Sequence, residues 1–382
     1  MRIAVYCQHV LGMGHLFRTL EIVSALDGHE RLLVVGGPRT PASVPRGAVL
    51  LRLPELSMDA GFGALSLSGQ ALEAVRGRRR QALSEALAGF SPDVFFVELY
   101  PFGRKAFEFE LIPAIEAVRR GNGRVVCGVR DILVEKRDQA GYEARVLDRL
   151  GRLFDGVCVH ADPRLFPLGA TFSRAAEIPV PVRYTGYVAP AAGPGREAGA
   201  VRRELGVAPG RELVVASAGG GKVGAGLLAA LLAACRERPR LRRASVRVFS
   251  GPFCPDGDFA ALETAAAALP DARVSRFASG FPDVLAACDL SVSLAGYNTV
   301  MALLAVGARG LVLPFDQNRE QRLRAARLAE MGLLGLLEPA DLAPDRLAER
   351  LEAALAAPRP PRAAVDLDGA RVTATILGRD VF

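Results

Sequence analysis

Residues 212–237 read ELVVASAGGGKVGAGLLAALLAACRE. A short apolar run rich in β-branched residues is followed by a glycine-rich turn and then by an Ala/Leu run. This is the signature of a strand, a tight turn and the start of a helix. Glycines let the backbone come close to a ligand, and a helix N-terminus favours an anion. Lysine is rare in this chain. It occurs only at 105, 136 and 222, against 45 arginines. One of the three therefore stands inside the turn, and the stretch reads as a place for an anionic ligand.

The same alternation runs outward in both directions. Upstream, the apolar runs at 2–7, 31–37, 46–53, 93–99, 124–130 and 156–161 read as strands. Helical patterns separate most of them, at 16–26, 69–89, 108–120 and 138–153. Downstream, strands are expected at 212–218, 245–251, 272–277, 290–295 and 309–315. Helices are expected at 224–237, 258–268, 281–287, 297–306, 318–331 and 344–356. Near-continuous apolar strands between helices indicate parallel sheets covered on both faces. The run VAPAAGPGREAG (188–199) breaks the pattern and reads as a linker. The expected architecture is therefore α/β, with two Rossmann-like doubly wound domains facing across a cleft. The boundaries are an N-terminal domain at 1–188, a linker at 189–200, a C-terminal domain at 201–365 and a closing segment at 366–382. That last segment holds a short helix, GARVTATIL, which can pack back on the first domain. Ligands of such sheets bind beyond the carboxyl ends of the strands.

Bulk properties fit this division. At 382 residues, half of them hydrophobic, the chain can fill two cores. The net charge of +7 is carried almost wholly by arginine. It is not organised as basic clusters interleaved with aromatics, so nucleic acid is not the expected partner. RGRRR at 76–80 reads as a solvated helix face. The six cysteines (Cys7, Cys127, Cys158, Cys235, Cys254 and Cys288) form no CxxC pair. They read as small buried hydrophobes in a reducing compartment. The chain opens directly into a strand and holds no apolar stretch of membrane-spanning length. The expected localisation is cytoplasmic, with peripheral membrane contact left open.

Three constellations carry chemistry. The first is QHVLGMGHLFRTL (8–20), where Gly12 and Gly14 allow a tight turn and His15 opens the helix. An imidazole there is suited to take a proton from a hydroxyl, or it makes a structural hydrogen bond. The second is the opening stretch. Gly219, Gly221 and Gly224 match GxGxxG, but the next strand ends in Ser250-Gly251 without the carboxylate a dinucleotide site wants. Lys222 is followed by Val223, so the P-loop pattern fails too. A diphosphate cradle of backbone N–H groups with a lysine beside it is what survives. The third is SLAGYNTVMALLAVGARGLVLPFDQNREQRLRAARLAEMGL (293–333). Asn298 and Thr299 fall at the helix start after Ala295-Gly296, where they could cap it or meet a phosphate. Asp316, Gln317, Asn318, Arg319, Glu320 and Gln321 gather donors and acceptors suited to a polyhydroxyl ligand. The alternative is a solvated loop.

These three motifs, in this order, resemble the MurG-type glycosyltransferases of family 28, which have the GT-B fold. The resemblance covers nearly the whole chain. ELYPFGRKAFEFELIP (98–113), GVRDILVE (128–135) and VRYTGYV (182–188) are similar to a narrower branch of predicted glycosyltransferases. The resemblance implies inverting transfer of a sugar from a nucleotide diphosphate, with UDP the expected nucleotide and neither metal nor other cofactor. It places the donor on the C-terminal domain, at Gly219, Gly220, Gly221, Lys222, Gly296, Asn298 and Thr299. Glu320 and Gln321 would meet the donor sugar. It places the acceptor on the N-terminal domain, at Gly12, Gly14 and His15. His15, Glu98 and Asp131 are the candidates for the base, and for Glu98 and Asp131 the alternative is a salt bridge to a neighbour such as Arg104 or Arg130. One position departs from the pattern. Ala302 stands where the family commonly has a glutamate for the ribose hydroxyls. Two other readings stay open: a nucleotide-sugar hydrolase and a non-catalytic nucleotide-sugar-binding subunit. The acceptor is a small molecule, a glycan or a lipid-linked molecule. The mostly apolar stretch 53–69 is either an acceptor or membrane lip or a packed loop.

Overall fold

The computed structural model describes residues 1–9, 14–40, 42–56, 69–190, 196–315, 319–361 and 364–379. The chain divides into two compact units. One holds Met1–Ala189 together with Val365–Phe382, and the other holds Pro190–Ala364.

The first unit is built on seven strands: β1 (Arg2–Gln8), β2 (Glu30–Gly36), β3 (Ala48–Arg52), β4 (Val94–Glu98), β5 (Arg124–Arg130), β6 (Gly156–His160) and β7 (Val182–Tyr184). Their order is β3-β2-β1-β4-β5-β6-β7, and every pairing is parallel. The central strands bury nearly every residue, as strands covered by helices on both faces must. The edge strand β3 has no fully buried residue and exposes Val49 and Arg52. On one face Ile3, Val5, Cys7, Phe96, Val126 and Cys158 pack under the helix Gly14–Ala25 and the C-terminal helix Gly369–Gly378. These two helices lie against each other. Chain order reverses between β1 and β4. The carboxyl ends of those two strands, at Gln8 and Glu98, therefore form the switch point where doubly wound sheets bind ligands.

The second unit repeats the plan with β8 (Leu213–Ser217), β9 (Ser245–Phe249), β10 (Ala272–Ser275), β11 (Leu290–Leu294), β12 (Gly310–Leu313) and β13 (Gly335–Leu336). The order is β10-β9-β8-β11-β12-β13, again all parallel. Its core sets Val214, Ala216, Val246, Val248, Leu290 and Val292 against Leu227, Leu228, Leu231 and Leu232 of the helix Ala225–Glu237 and Leu347, Leu351 and Leu355 of the helix Pro344–Ala356. Here the switch point lies between β8 and β11. The turn after β8 is Ala218–Gly224, and the turn after β11 is Ala295-Gly296. Two motifs almost 80 residues apart in sequence thus become neighbours.

Both sheets match the doubly wound expectation. All six cysteines are free and buried, as their apolar settings indicated. Among the strands and α-helices of the described residues, four are additional to the sequence reading: β7, β13 and the helices Ala198–Glu204 and Pro239–Arg243. Each is seven residues or shorter, too short to show a period. The helix Ala198–Glu204 begins inside the stretch read as linker, because Ala198, Ala200, Arg202, Arg203 and Glu204 are good helix formers once the proline is past. Residues 191–195, in that linker, and 57–68, in the candidate lip, lie outside the described residues.

Candidate functional site

In the first unit the site grows from the end of β4 and the start of the helix Gly14–Ala25. Glu98 is the last residue of β4 and is 1% exposed. His15 is the second residue of the helix and is partly exposed, with 18% of its side-chain surface open. Its Nδ1 lies 3.0 Å from Glu98 Oε1. Arg18, one turn further along the helix, lies on the same face. Its Nη2 donates to Glu98 Oε1 and lies 3.1 Å from His15 Nδ1. Arg18 is itself buried. The Glu98 oxygen thus collects a guanidinium and an imidazole in a place water barely reaches.

The charges of this cluster follow from that geometry. Burial opposes ionisation of Glu98, but the Arg18 charge and the His15 hydrogen bond outweigh it, and the carboxyl sits well below the usual carboxylate range. Burial lowers His15 to about 3 against the pull of Glu98, and the charges of Arg104 and Arg18 push the same way. The imidazole is therefore neutral at pH 7. With a carboxylate, an acceptor only, at 3.0 Å, the tautomer that satisfies the pair carries its proton on Nδ1. Nε2 then presents a lone pair. A carboxylate-oriented imidazole of this kind is a general base in waiting. Cys7, on the neighbouring strand, is no competing nucleophile, because burial and the Glu98 charge push its thiol up to about 12.

The other candidates of this unit stand differently. Asp131 follows β5 and is 1% exposed. Gly14 opens the helix. Gly12 lies outside the described residues. The sequence offered Arg104 or Arg130 as the ion-pair partner of Glu98; the ion pair is made by Arg18. Arg104 instead donates from Nε to the Gln8 carbonyl at 2.7 Å. Arg18 was absent from the sequence reading, although its spacing of three from His15 was the available signal.

In the second unit the glycine turn is tightly tied to its neighbour. Gly219, Gly221 and Gly224 all have positive φ, at 63°, 88° and 101°. The Gly219 amide donates to Ser217 Oγ at 3.2 Å, and the Gly221 amide to the Ala218 carbonyl at 3.3 Å. Two of the amides expected to face an anion are therefore already used inside the turn. Gly221 packs on the loop after β9: a Cβ there would fall 2.4 Å from the Ser250 carbonyl oxygen, and one on Gly251 would fall 2.4 Å from the Gly221 nitrogen. Gly219 and Gly220 behave otherwise, since a Cβ on Gly219 would meet nothing within 4 Å and one on Gly220 only Phe253 at 3.9 Å. The open part of the turn is thus Gly219-Gly220. Lys222 beside it is exposed, with Nζ 5.8 Å from the centre of the Phe253 ring.

The adjacent turn is open too. Gly296 is the N-cap of the helix Tyr297–Val306 and brings no side-chain hydrogen bond to it. A Cβ on Gly296 would meet nothing within 4 Å. Ala302 is 3% exposed and turned into the core. Gln321 accepts a hydrogen bond from the Phe315 amide at 3.1 Å, which uses its carbonyl and leaves its amino group to donate. Glu320 lies in the first turn of the helix Arg319–Glu330. Asp316, Gln317 and Asn318 lie outside the described residues. Two helices, Ala225–Glu237 and Tyr297–Val306, thus follow neighbouring strands and each begins at a glycine N-cap that supplies no side-chain hydrogen bond. That arrangement favours a ligand carrying negative charge.

Residues 220–365 match the glycosyltransferase family 28 C-terminal domain. The chain is 31% identical over 85 residues to the UDP-N-acetylglucosamine--N-acetylmuramyl-(pentapeptide) pyrophosphoryl-undecaprenol N-acetylglucosamine transferase of Haemophilus influenzae strain PittGG. That match covers 22% of this chain and 24% of the relative, so the chain spans about a quarter of the length of the curated relatives it matches. Among solved structures, CalG4, the calicheamicin glycosyltransferase, superposes with a TM-score of 0.61 at 18% identity, covering 100% of this chain and 94% of that one. MurG of Acinetobacter baumannii gives a TM-score of 0.55 at 14% identity, covering 100% and 98%. At these identities the likeness is one of fold.

Proposed function

We propose, for a chain that is a MurG-like glycosyltransferase of the family 28 type with the GT-B fold, that it moves a sugar from a nucleotide diphosphate to an acceptor hydroxyl with inversion and without a metal. The observation that carries the reading is the His15–Glu98–Arg18 cluster. His15 is the base. Its Nε2 takes the acceptor's hydroxyl proton as that oxygen attacks the anomeric carbon. The bond from that carbon to the diphosphate oxygen breaks, and the nucleoside diphosphate leaves. Glu98 holds Nδ1–H and stabilises the imidazolium as it forms, and Arg18 keeps Glu98 ionised. Asp131 is the second candidate for the base, and Gly12 and Gly14 shape the acceptor side.

The donor belongs to the second unit. Its diphosphate would lie against Gly219, Gly220 and Gly221, chiefly the open Gly219-Gly220 segment, and against Gly296 and the helix starts at Asn298 and Thr299. Lys222 would neutralise the charge that develops on the leaving group. Glu320 and the free amino group of Gln321 would meet sugar hydroxyls. UDP is the proposed nucleotide: it appears in the name of the Haemophilus influenzae relative, and TcCGT1, which shares the fold, was solved in complex with UDP. The buried Ala302 offers no carboxylate to the ribose, so the diphosphate contacts carry more of the nucleotide affinity. Among the described residues no helix is long and apolar enough to cross a membrane. For a lipid-linked acceptor, contact would be peripheral and on the cytoplasmic face.

The deciding experiment measures melting temperature with a panel of nucleoside diphosphates and their sugars in the presence of a chelator. A rise specific to one base is expected, and that sugar nucleotide is then given to an acceptor panel with wild-type protein and His15→Ala. Release of free sugar without an acceptor would mean hydrolysis. Binding without turnover on every acceptor would mean a non-catalytic subunit. No shift with any nucleotide would overturn the donor site.

A further inference from the structure

A second histidine lies behind the cluster, and the reaction as described does not use it. His160 is the last residue of β6 and is fully buried. Strand register places it on the same face as Glu98. Glu98 pairs across to Gly128, and two residues further along β5, Arg130 pairs across to His160. Side chains two apart on a strand share a face. Gly128 has no side chain, and the His160 ring leans into that space. A Cβ on Gly128 would lie 3.1 Å from His160 Nε2 and 2.3 Å from the Phe96 ring. The slot facing Glu98 across the strand pair is thus filled by an imidazole edge.

Two buried polar atoms there lack a hydrogen-bond partner: Glu98 Oε2 and His160 Nε2. His15 and Arg18 both engage Oε1, so the second carboxylate oxygen is left over. At its other end, His160 Nδ1 lies 3.0 Å from Thr185 Oγ1. An ionised carboxylate only accepts, so a water between the two atoms would satisfy both when Nε2 carries the proton, and Nδ1 then accepts the one proton of Thr185 Oγ1, an oxygen that also lies 3.0 Å from the Gly186 carbonyl and 3.3 Å from the Val159 carbonyl. The charged groups around this pair are few. Glu98 and Arg18 act on His160, and Glu98, Arg18 and Arg104 act on His15. Arg130 is the cross-strand neighbour of His160.

We propose that His160 is a positioning residue for the base: as its Nε2–H tautomer it donates to Glu98 Oε2 across one water molecule, so that Thr185, His160, Glu98 and His15 form one oriented line through the sheet. The proposal rests on His15 being the base. Fixing both carboxylate oxygens stops Glu98 rotating, which holds the imidazole with Nε2 outward.

The test uses nitrogen-15 spectra of the histidine side chains in the full-length protein near neutral pH, with no substrate. Only four histidines are present, so each is assignable by substitution. His160 is expected as the Nε2–H tautomer and His15 as the Nδ1–H tautomer. In His160→Phe, which keeps a ring but loses the donor, the His15 resonances move. In His160→Gln, which restores an N–H, they return towards wild type. An Nδ1–H tautomer at His160, or His15 resonances identical in wild type and folded His160→Phe, would overturn the proposal. If His160→Phe does not fold, the wild-type tautomer alone decides. Because no sugar nucleotide is needed, this result is independent of the transfer assay that tests His15 as base.

Discussion

At the scale of single residues, His15 and Glu98 make opposite predictions although they touch. His15 is partly exposed and neutral. His15→Gln is expected to lower turnover by roughly 10²–10⁴-fold, the usual contribution of general base catalysis, with little change in melting temperature. Glu98→Gln removes the counter-charge of the buried Arg18. Breaking a buried pair on one side costs about 3–5 kcal/mol, so this variant should lose stability as well as activity, read by chemical denaturation. Burial also lowers His15 far below the usual imidazole range, to about 3. The base form therefore persists in mild acid, and kcat/KM should show no acid limb near the ordinary value of about 6.5. A limb there would assign the proton transfer to another group. His15 was legible from GMGH, and Glu98 from its place after an apolar strand. Their joining was not, because a strand pattern does not say which helix covers its end. The ion pair that was the alternative reading of Glu98, with a neighbour such as Arg104 or Arg130, is made by Arg18, which the spacing of three from His15 could have suggested.

At the scale of elements, the glycine turn separates two kinds of glycine that look alike in sequence. Gly221 and Gly251 let two loops touch backbone to backbone. Gly251→Ala would push a Cβ to within 2.6 Å of Gly219 and within 2.5 Å of Gly220, with positive φ adding to the strain. Overpacking of this sort costs about 1–3 kcal/mol, so a lower melting temperature without any ligand is expected. Gly220→Ala meets only Phe253, at 3.9 Å, and should leave the unliganded melting temperature unchanged. What it should reduce is the rise on adding the nucleotide diphosphate. Lys222→Ala should do the same, because its exposed ammonium supports no fold contact beyond the Phe253 ring. Equal nucleotide response in Gly220→Ala, Lys222→Ala and wild type would remove the diphosphate from this turn. The interior strands were readable because they are continuous apolar runs between helices. β7 and β13 were not, since three and two residues at a sheet edge carry no period.

At the scale of the whole molecule, every histidine falls in the first unit: His9, His15, His29 and His160 all precede residue 190, and residues 190–364 contain none. Burial lowers His9 to about 4 and His15 and His160 to about 3, with neighbouring arginines adding to the effect at each. In the unfolded chain each returns to about 6.5. Between these values the unfolded state binds protons that the native state refuses, so stability is full above pH 6.5 and falls as pH drops through that window. The slope is at most about 1.4 kcal/mol per pH unit for each histidine. Glu98 acts with the same sign at lower pH, because its native carboxyl stays ionised below the range where the unfolded one takes up a proton. Acid should therefore loosen the first unit before the second. Hydrogen exchange at pH 7 and pH 5, corrected for intrinsic rates, is expected to show lost protection in β1, β4 and β6 while β8, β9 and β11 keep theirs. His160→Phe, which removes one titrating group, should flatten the pH dependence of the first unit alone. Equal loss in both sheets would mean that something other than buried neutral histidines sets the acid limit.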